Sequence, residues 1–288
     1  MTHSTGSRPH LNQLSRALQP ATATSTSTLP MDPSHSHPHD ATQGSGPQPV
    51  PAWLEEIHRR IRSSPNVSAR NPNLTWENNA ADIIERQLQQ DHHQSWGFVI
   101  YRTTYNSDTD WAEFLRRLRF HMERVFDFYN GRDILEKFVL TVLEDQSAFD
   151  RASTDTIRRH FQQWSLTAYP TEQQHQKGAR IGRSPRYHYA VQVDLEALNS
   201  VVRDAPAPPA IDTTTKGWVK LIDKSWYLGR GEGIHTHMLH EPIEGITQED
   251  VGWMRVRYQD IMPNFYALYQ GPNDWGVLYC RPPKIATA

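Results

Sequence analysis

Hydrophobic and polar positions follow two different periods between residues 96 and 145. Trp96-Gly97-Phe98-Val99-Ile100-Tyr101 is a short continuous apolar run, which reads as a buried strand. Asn106-Ser107-Asp108-Thr109-Asp110 is a polar turn. Then Trp111, Phe114, Leu115, Leu118, Met122, Val125 and Phe126 recur on one side of a helix, with Arg116, Arg117, Arg119, Glu123 and Arg124 on the other. Asp108 or Asp110 is placed to cap this helix, and Gly131 to stop it. Phe138 to Leu143 is a second β-rich run. The unit is strand, helix, strand, and it seeds the fold.

The same reading extends in both directions. Before the seed, Trp53, Leu54, Ile57 and Ile61 share one face of a short helix that Pro51 starts, and Ile83, Ile84 and Leu88 face inward from another. After it, Ser153 or Thr154 caps a helix lined by Ile157, Phe161 and Trp164, and residues 170–185 form a polar loop. Arg186 to Val193 alternates as a strand. Asp194 caps a short helix, and Ala205-Pro206-Ala207-Pro208-Pro209 is a stiff connector. Gly217 to Ile222 and Val251 to Tyr258 read as strands, Asp260 to Tyr269 as a helix and Trp275 to Cys280 as a last strand. The expected fold class is α+β, a mixed sheet with helices packed on it and ferredoxin-like βαβ units. Residues 96–283 form one domain in this reading, 51–95 a helical lead-in and 1–50 a disordered tail rich in Ser, Thr, Pro and His.

Composition narrows the classes. The formal charge is -2 over 288 residues, so no global field draws the chain to nucleic acid or an anionic membrane. The single cysteine, Cys280, excludes an internal disulfide framework and a cysteine-based zinc site. No apolar stretch reaches the roughly 18–20 residues of a spanning helix, so no membrane partner is expected and the chain reads as soluble. The expected compartment is cytoplasmic. Arg8 and Arg16 with Leu11, Leu14 and Leu18 make a mitochondrial matrix location the alternative. Without a secretory segment, the sequons at Asn66 and Asn73 are chance matches, and His35, His37 and His39 in the tail read as adventitious.

Four places could carry chemistry. In Gly229-Arg230-Gly231-Glu232-Gly233-Ile234-His235-Thr236-His237-Met238-Leu239-His240-Glu241, His235 and His237 would share a strand face, and His240 and Glu241 could add donors for a metal. The order differs from known zinc motifs, and Pro242 opposes a helix, so an exposed polar loop is the simpler reading. For the same reason the three glycines do not form a phosphate loop, and no cofactor is expected. Glu144, Asp145, Asp194 and Asp223 gather at strand ends, where open α/β sheets hold ligands; as caps they need no catalytic role. Tyr101 and Tyr105 with Arg102, or Tyr187 and Tyr189 with Arg186, could be stacking platforms, though the core also needs aromatics.

Three stretches, Trp96 to Tyr105, Val142-Leu143-Glu144-Asp145 and Glu249 to Met254, resemble a large family of uncharacterised proteins of filamentous fungi. The likeness spans roughly Trp96 to Pro283. It implies a fungal source and no activity, and the family is acidic where this chain has His235-Thr236-His237. The expected function is a non-catalytic module that binds a small molecule or a protein partner. The alternative is an accessory enzyme of fungal specialised metabolism using the strand-end carboxylates or the histidine loop.

Overall fold

The computed structural model describes residues 50–173, 181–230, 240–271 and 274–288. The tail (1–49), the middle of the expected polar loop and the histidine loop through Leu239 lie outside the described residues. Helix α1 spans Ala52–Arg62 and α2 spans Ala80–Asp91. Strand β1 (Val99–Arg102), helix α3 (Asp108–Tyr129), β2 (Thr141–Leu143), α4 (Thr154–Gln173) and β3 (Tyr189–Val193) follow. Then come α5 (Leu195–Asn199), β4 (Trp218–Asp223), β5 (Trp253–Arg257), α6 (Asp274–Leu278) and β6 (Ile285–Ala286).

The strands form one mixed sheet in the order β2-β1-β3-β4-β5-β6. β1 runs parallel to both β2 and β3, β4 is antiparallel to β3 and β5, and β6 is parallel to β5. The fold is therefore α+β. Its two successive βαβ units share β1–β2–β3 as three parallel strands, which differs from the split pairing of ferredoxin-like folds. Phe98, Ile100, Val191, Leu221 and Met254 point to the face covered by α2, α3 and α5. Val99, Tyr101, Ala190, Ile222 and Trp253 point to the other, under Ile157 and Phe161 of α4. The two crossovers thus lie on opposite faces, and the carboxyl ends of β1 and β3 form the switch point where such sheets open a crevice.

Several elements differ from expectation for identifiable reasons. Ser107, not Asp108 or Asp110, caps α3, accepting the Asp110 N–H at 3.1 Å. The helix ends at Tyr129, and Asn130, with φ 53°, caps it ahead of Gly131. Arg117 is buried, because it falls beside Phe114 and Leu118 and donates to the Val201 and Ala205 carbonyls at 2.7 and 3.1 Å. The β2 run pairs regularly only from Thr141, apart from a bridge between Trp96 and Phe138. The interruption is the fully buried Arg186, whose guanidinium enters between the strands. It donates to Gly97 O at 2.9 Å and Thr141 Oγ1 at 2.7 Å, and pairs with Glu172 at 2.7 Å. That role removes Arg186 and Tyr187 from β3, where they form a helical turn instead. Asp260 to Tyr269 is broken at Met262, whose backbone is extended.

Trp275 to Cys280 holds a helix in place of the expected strand. Trp275 is buried and Val277 is 83% exposed, while Tyr279 N–H closes a turn on Trp275 O at 2.8 Å. The inward positions are four apart, a helical period that the β-prone residue types conceal.

Candidate site at the carboxyl ends of the parallel strands

β1 ends at Arg102 and is followed by Thr103 and Thr104, all three buried polar residues. Arg102 donates through Nε to Thr104 O at 3.0 Å and through Nη1 to Glu144 at 3.5 Å, and pairs with Asp108 through Nη2. Its guanidinium lies 4.6 Å from the Tyr105 ring centre and 5.2 Å from that of Trp111, within cation–π range. Trp111 Nε1 donates to the other Glu144 oxygen at 2.7 Å. The strand-end carboxylate Glu144 is thereby fastened to the first turn of α3.

On the far side of the switch point, Lys220 projects from β4 towards the α4 face. Its Nζ stands 3.0 Å from Asp194, 3.7 Å from Glu244 and 4.4 Å from the Trp253 ring centre. Asp194 also caps α5, accepting Ala197 N–H at 2.9 Å. The Thr154 hydroxyl lies 3.0 Å from Glu244 Oε1 and 3.2 Å from Gln192 Oε1. Gln192 Nε2 in turn donates to Thr103 Oγ1 at 3.3 Å and Ala152 O at 2.9 Å. The network joins β1, β3, β4, α4 and the 240–250 loop across the crevice.

Of the four strand-end acids, the structure brings Glu144, Asp145 and Asp194 to this end. Asp145 caps a short helical turn, and the Ser147 hydroxyl and Ala148 N–H hold its carboxyl below the usual range. Asp223 stands at the opposite end, because β4 runs antiparallel, and pairs there with Arg230. Lys220 and Glu244 were not singled out in the sequence, and Thr154 only as a helix cap. One signal was present: Lys220 is the lone cation inside Trp-Val-Lys-Leu-Ile, and a charge within a buried strand must find partners.

Around Asp223, burial pushes the Asp250 carboxyl up, and it accepts from Gly252 N at 2.7 Å and Trp275 Nε1 at 2.9 Å. Trp275 stacks on Tyr189 at 5.8 Å between ring centres, and Tyr189 lies 4.3 Å from Tyr269. Of the histidine-loop donors, His240 and Glu241 are described: His240 sits 2.7 Å from Glu249, and Glu241 is exposed. His235 and His237 lie outside the described residues. Among the described residues no three His, Cys, Asp or Glu side chains group to hold a metal ion.

Tyr101, Tyr187, Tyr189, Arg102 and Arg186 are all buried, so these members of the two aromatic platforms are parts of the core, while Tyr105 is half-buried and donates its hydroxyl to Arg102 O at 3.1 Å. Tyr101 OH meets His160 Nδ1 at 2.9 Å, inside the α4 layer. Cys280 is half-buried, and burial pushes its thiol up. A cleft between Ala80, Ile83, Tyr129, Asn264 and Ala267 has about 10 Å³ of free space, room for roughly one water. No helix among the described residues is long and apolar enough to cross a membrane. No family model, curated protein or solved structure matches the chain.

Proposed function

We propose that this chain is a non-catalytic module that binds another protein, and that the bound segment is an extended peptide lying along β2. The observation that carries the reading is the β2 edge. β2 is the terminal strand of the sheet, flanked by β1 on one side. Among the described residues no strand pairs with its other side. The run Phe138-Val-Leu-Thr-Val-Leu143 has neither charge nor proline, the usual guards of a sheet edge, and Val139 and Leu140 are 41% and 42% exposed. An added strand would satisfy the edge backbone groups and cover these side chains.

Two further observations favour binding over catalysis, and a protein over a small molecule. The acids at the switch point serve as caps and ion-pair partners. The crevice that would receive a small ligand in such a sheet is spanned by the Thr103–Gln192–Thr154–Glu244–Lys220 network. A filamentous-fungal source belongs to the same proposal and rests on the three resembling stretches alone.

The test selects displayed random peptides on the full chain, with a Leu140→Lys chain as counter-selection. Recovered peptides are expected to protect the amides of 139–143 from hydrogen exchange and to bind Leu140→Lys at least tenfold more weakly. Peptides that protect other regions equally well, or an organic molecule that co-purifies stoichiometrically in native mass spectra, would overturn the reading.

A further inference from the structure

α1 carries a second surface, independent of β2. Leu54, Ile57 and Ile61 are spaced i, i+3, i+7, the seam of a helix that packs against another helix. α1 nevertheless contains no buried residue. Leu54, Ile57 and Ile61 belong to neither core cluster. Trp53, on the flank of the seam, is 54% exposed, and Val50, one turn before Leu54, is 49% exposed. Leu54, Ile57 and Ile61 themselves are half-buried, and a large exposed tryptophan beside such an aliphatic seam is the composition of an interface centre.

The charges on α1 select the occupant. Glu55 and Glu56 lie in the first half, Arg59, Arg60 and Arg62 in the second; Glu56 already pairs with Arg59 and Arg60 of its own helix, which leaves Glu55 in the first half and Arg62 in the second to meet a partner's charges. A second copy laid parallel would set acid near acid and base near base. Turned end over end, it sets the acidic half of each helix beside the basic half of the other. The same turn places Ile57 against Ile57 at the two-fold axis, Leu54 against Ile61, and Trp53 beside Arg60, a cation–π pair. The rest of the described chain leaves α1 from its carboxyl end, so the two bodies lie at opposite ends of such a pair.

We infer that α1 is a self-association helix, and that its partner is the α1 of a second copy of this chain in antiparallel register. Eleven residues make a seam about 16 Å long. The contact is then smaller than the roughly 1,000 Å² of a stable interface, so the dimer is weak and concentration-dependent.

Sedimentation velocity of the full chain, from low micromolar to several hundred micromolar, tests this. The weight-average mass is expected to rise toward that of a dimer. Ile57→Asp is expected to abolish the rise while leaving the circular dichroism spectrum of dilute chain unchanged, since α1 lies outside the core. Register is tested in a Cys280→Ser background under mild oxidation. Ile57→Cys should form a disulfide-linked dimer with itself, whereas Leu54→Cys should do so only in a mixture with Ile61→Cys. A chain that stays monomeric throughout, an association that survives Ile57→Asp, or self-linking of Leu54→Cys would each overturn the proposal. The peptide selection on β2 reads a different surface, so the two proposals fail separately.

Discussion

α1 and α3 obey the same pattern rule and meet different fates. Both set aliphatic and aromatic residues on one side and charged residues on the other. α3 buries Trp111, Phe114, Leu118, Met122 and Phe126 against the sheet and α2. α1 buries none of its residues. Amphipathicity states that a helix has a partner; it does not state that the partner is in the same fold. For α3, the helix follows β1 directly and must cross back to β2, so the sheet is the surface it meets. Among the described residues α1 precedes every strand, and no crossover ties it to the sheet.

The largest effect that sharpens the contrast is expected from Phe114→Ala. Phe114 is fully buried and stacks on Trp111 at 5.2 Å. Truncation should cost about 3–5 kcal/mol of unfolding free energy, read by urea titration. A loss below about 1 kcal/mol would mean that α3 is not the packed helix of the pair.

The next effect is a pH dependence located on α3. His121 is buried, its Nε2 lies 3.1 Å from Tyr258 OH, and burial together with Arg124, Arg117 and Arg257 pushes its imidazole down to about 4. The folded value lies below the ordinary one near 6.5, so the unfolded chain takes up this proton first as pH falls. The neutral imidazole therefore contributes full stability above about 6.5, and this is lost as pH falls from there to about 4, on the order of 2–3 kcal/mol. Thermal unfolding of the wild type and His121→Gln across that range checks the sign. The difference in melting temperature between them should change steadily with pH, and a constant difference would refute it.

The smallest effect is expected on the other helix. Ile57→Asp should change the unfolding free energy of dilute chain by less than about 0.5 kcal/mol, the range of ordinary surface substitutions. A large loss would place the α1 seam in the core after all.

Much of the fold was legible because most apolar residues obey one period at a time. α3, α4, β4 and β5 follow from runs whose spacing admits one reading. Legibility failed where a single residue with distant partners overrode local pattern. Arg186 looked like the first residue of a strand, yet its guanidinium bonds the chain just ahead of β1 and β2, at Gly97 O, and needs Glu172 and Thr141, which adjoin it only in space. Trp275 to Cys280 failed because its residue types favour strands while its burial is helical. At the candidate site, Glu144 and Asp194 were visible as strand-end acids. Their cationic partners were not, since Lys220 reaches Asp194 only through the antiparallel return of β4, and Arg102 reaches Glu144 across neighbouring parallel strands.

An isolated helix of eleven residues is marginal in water, so α1 should depend on its partner for protection. Amide hydrogen exchange, followed residue by residue at several chain concentrations, measures this directly. The account predicts that α3 amides are strongly protected at every concentration, while α1 amides exchange almost freely in dilute solution and slow as the concentration rises. α1 protection as strong as that of α3 in dilute solution, or α1 exchange indifferent to concentration, would contradict it.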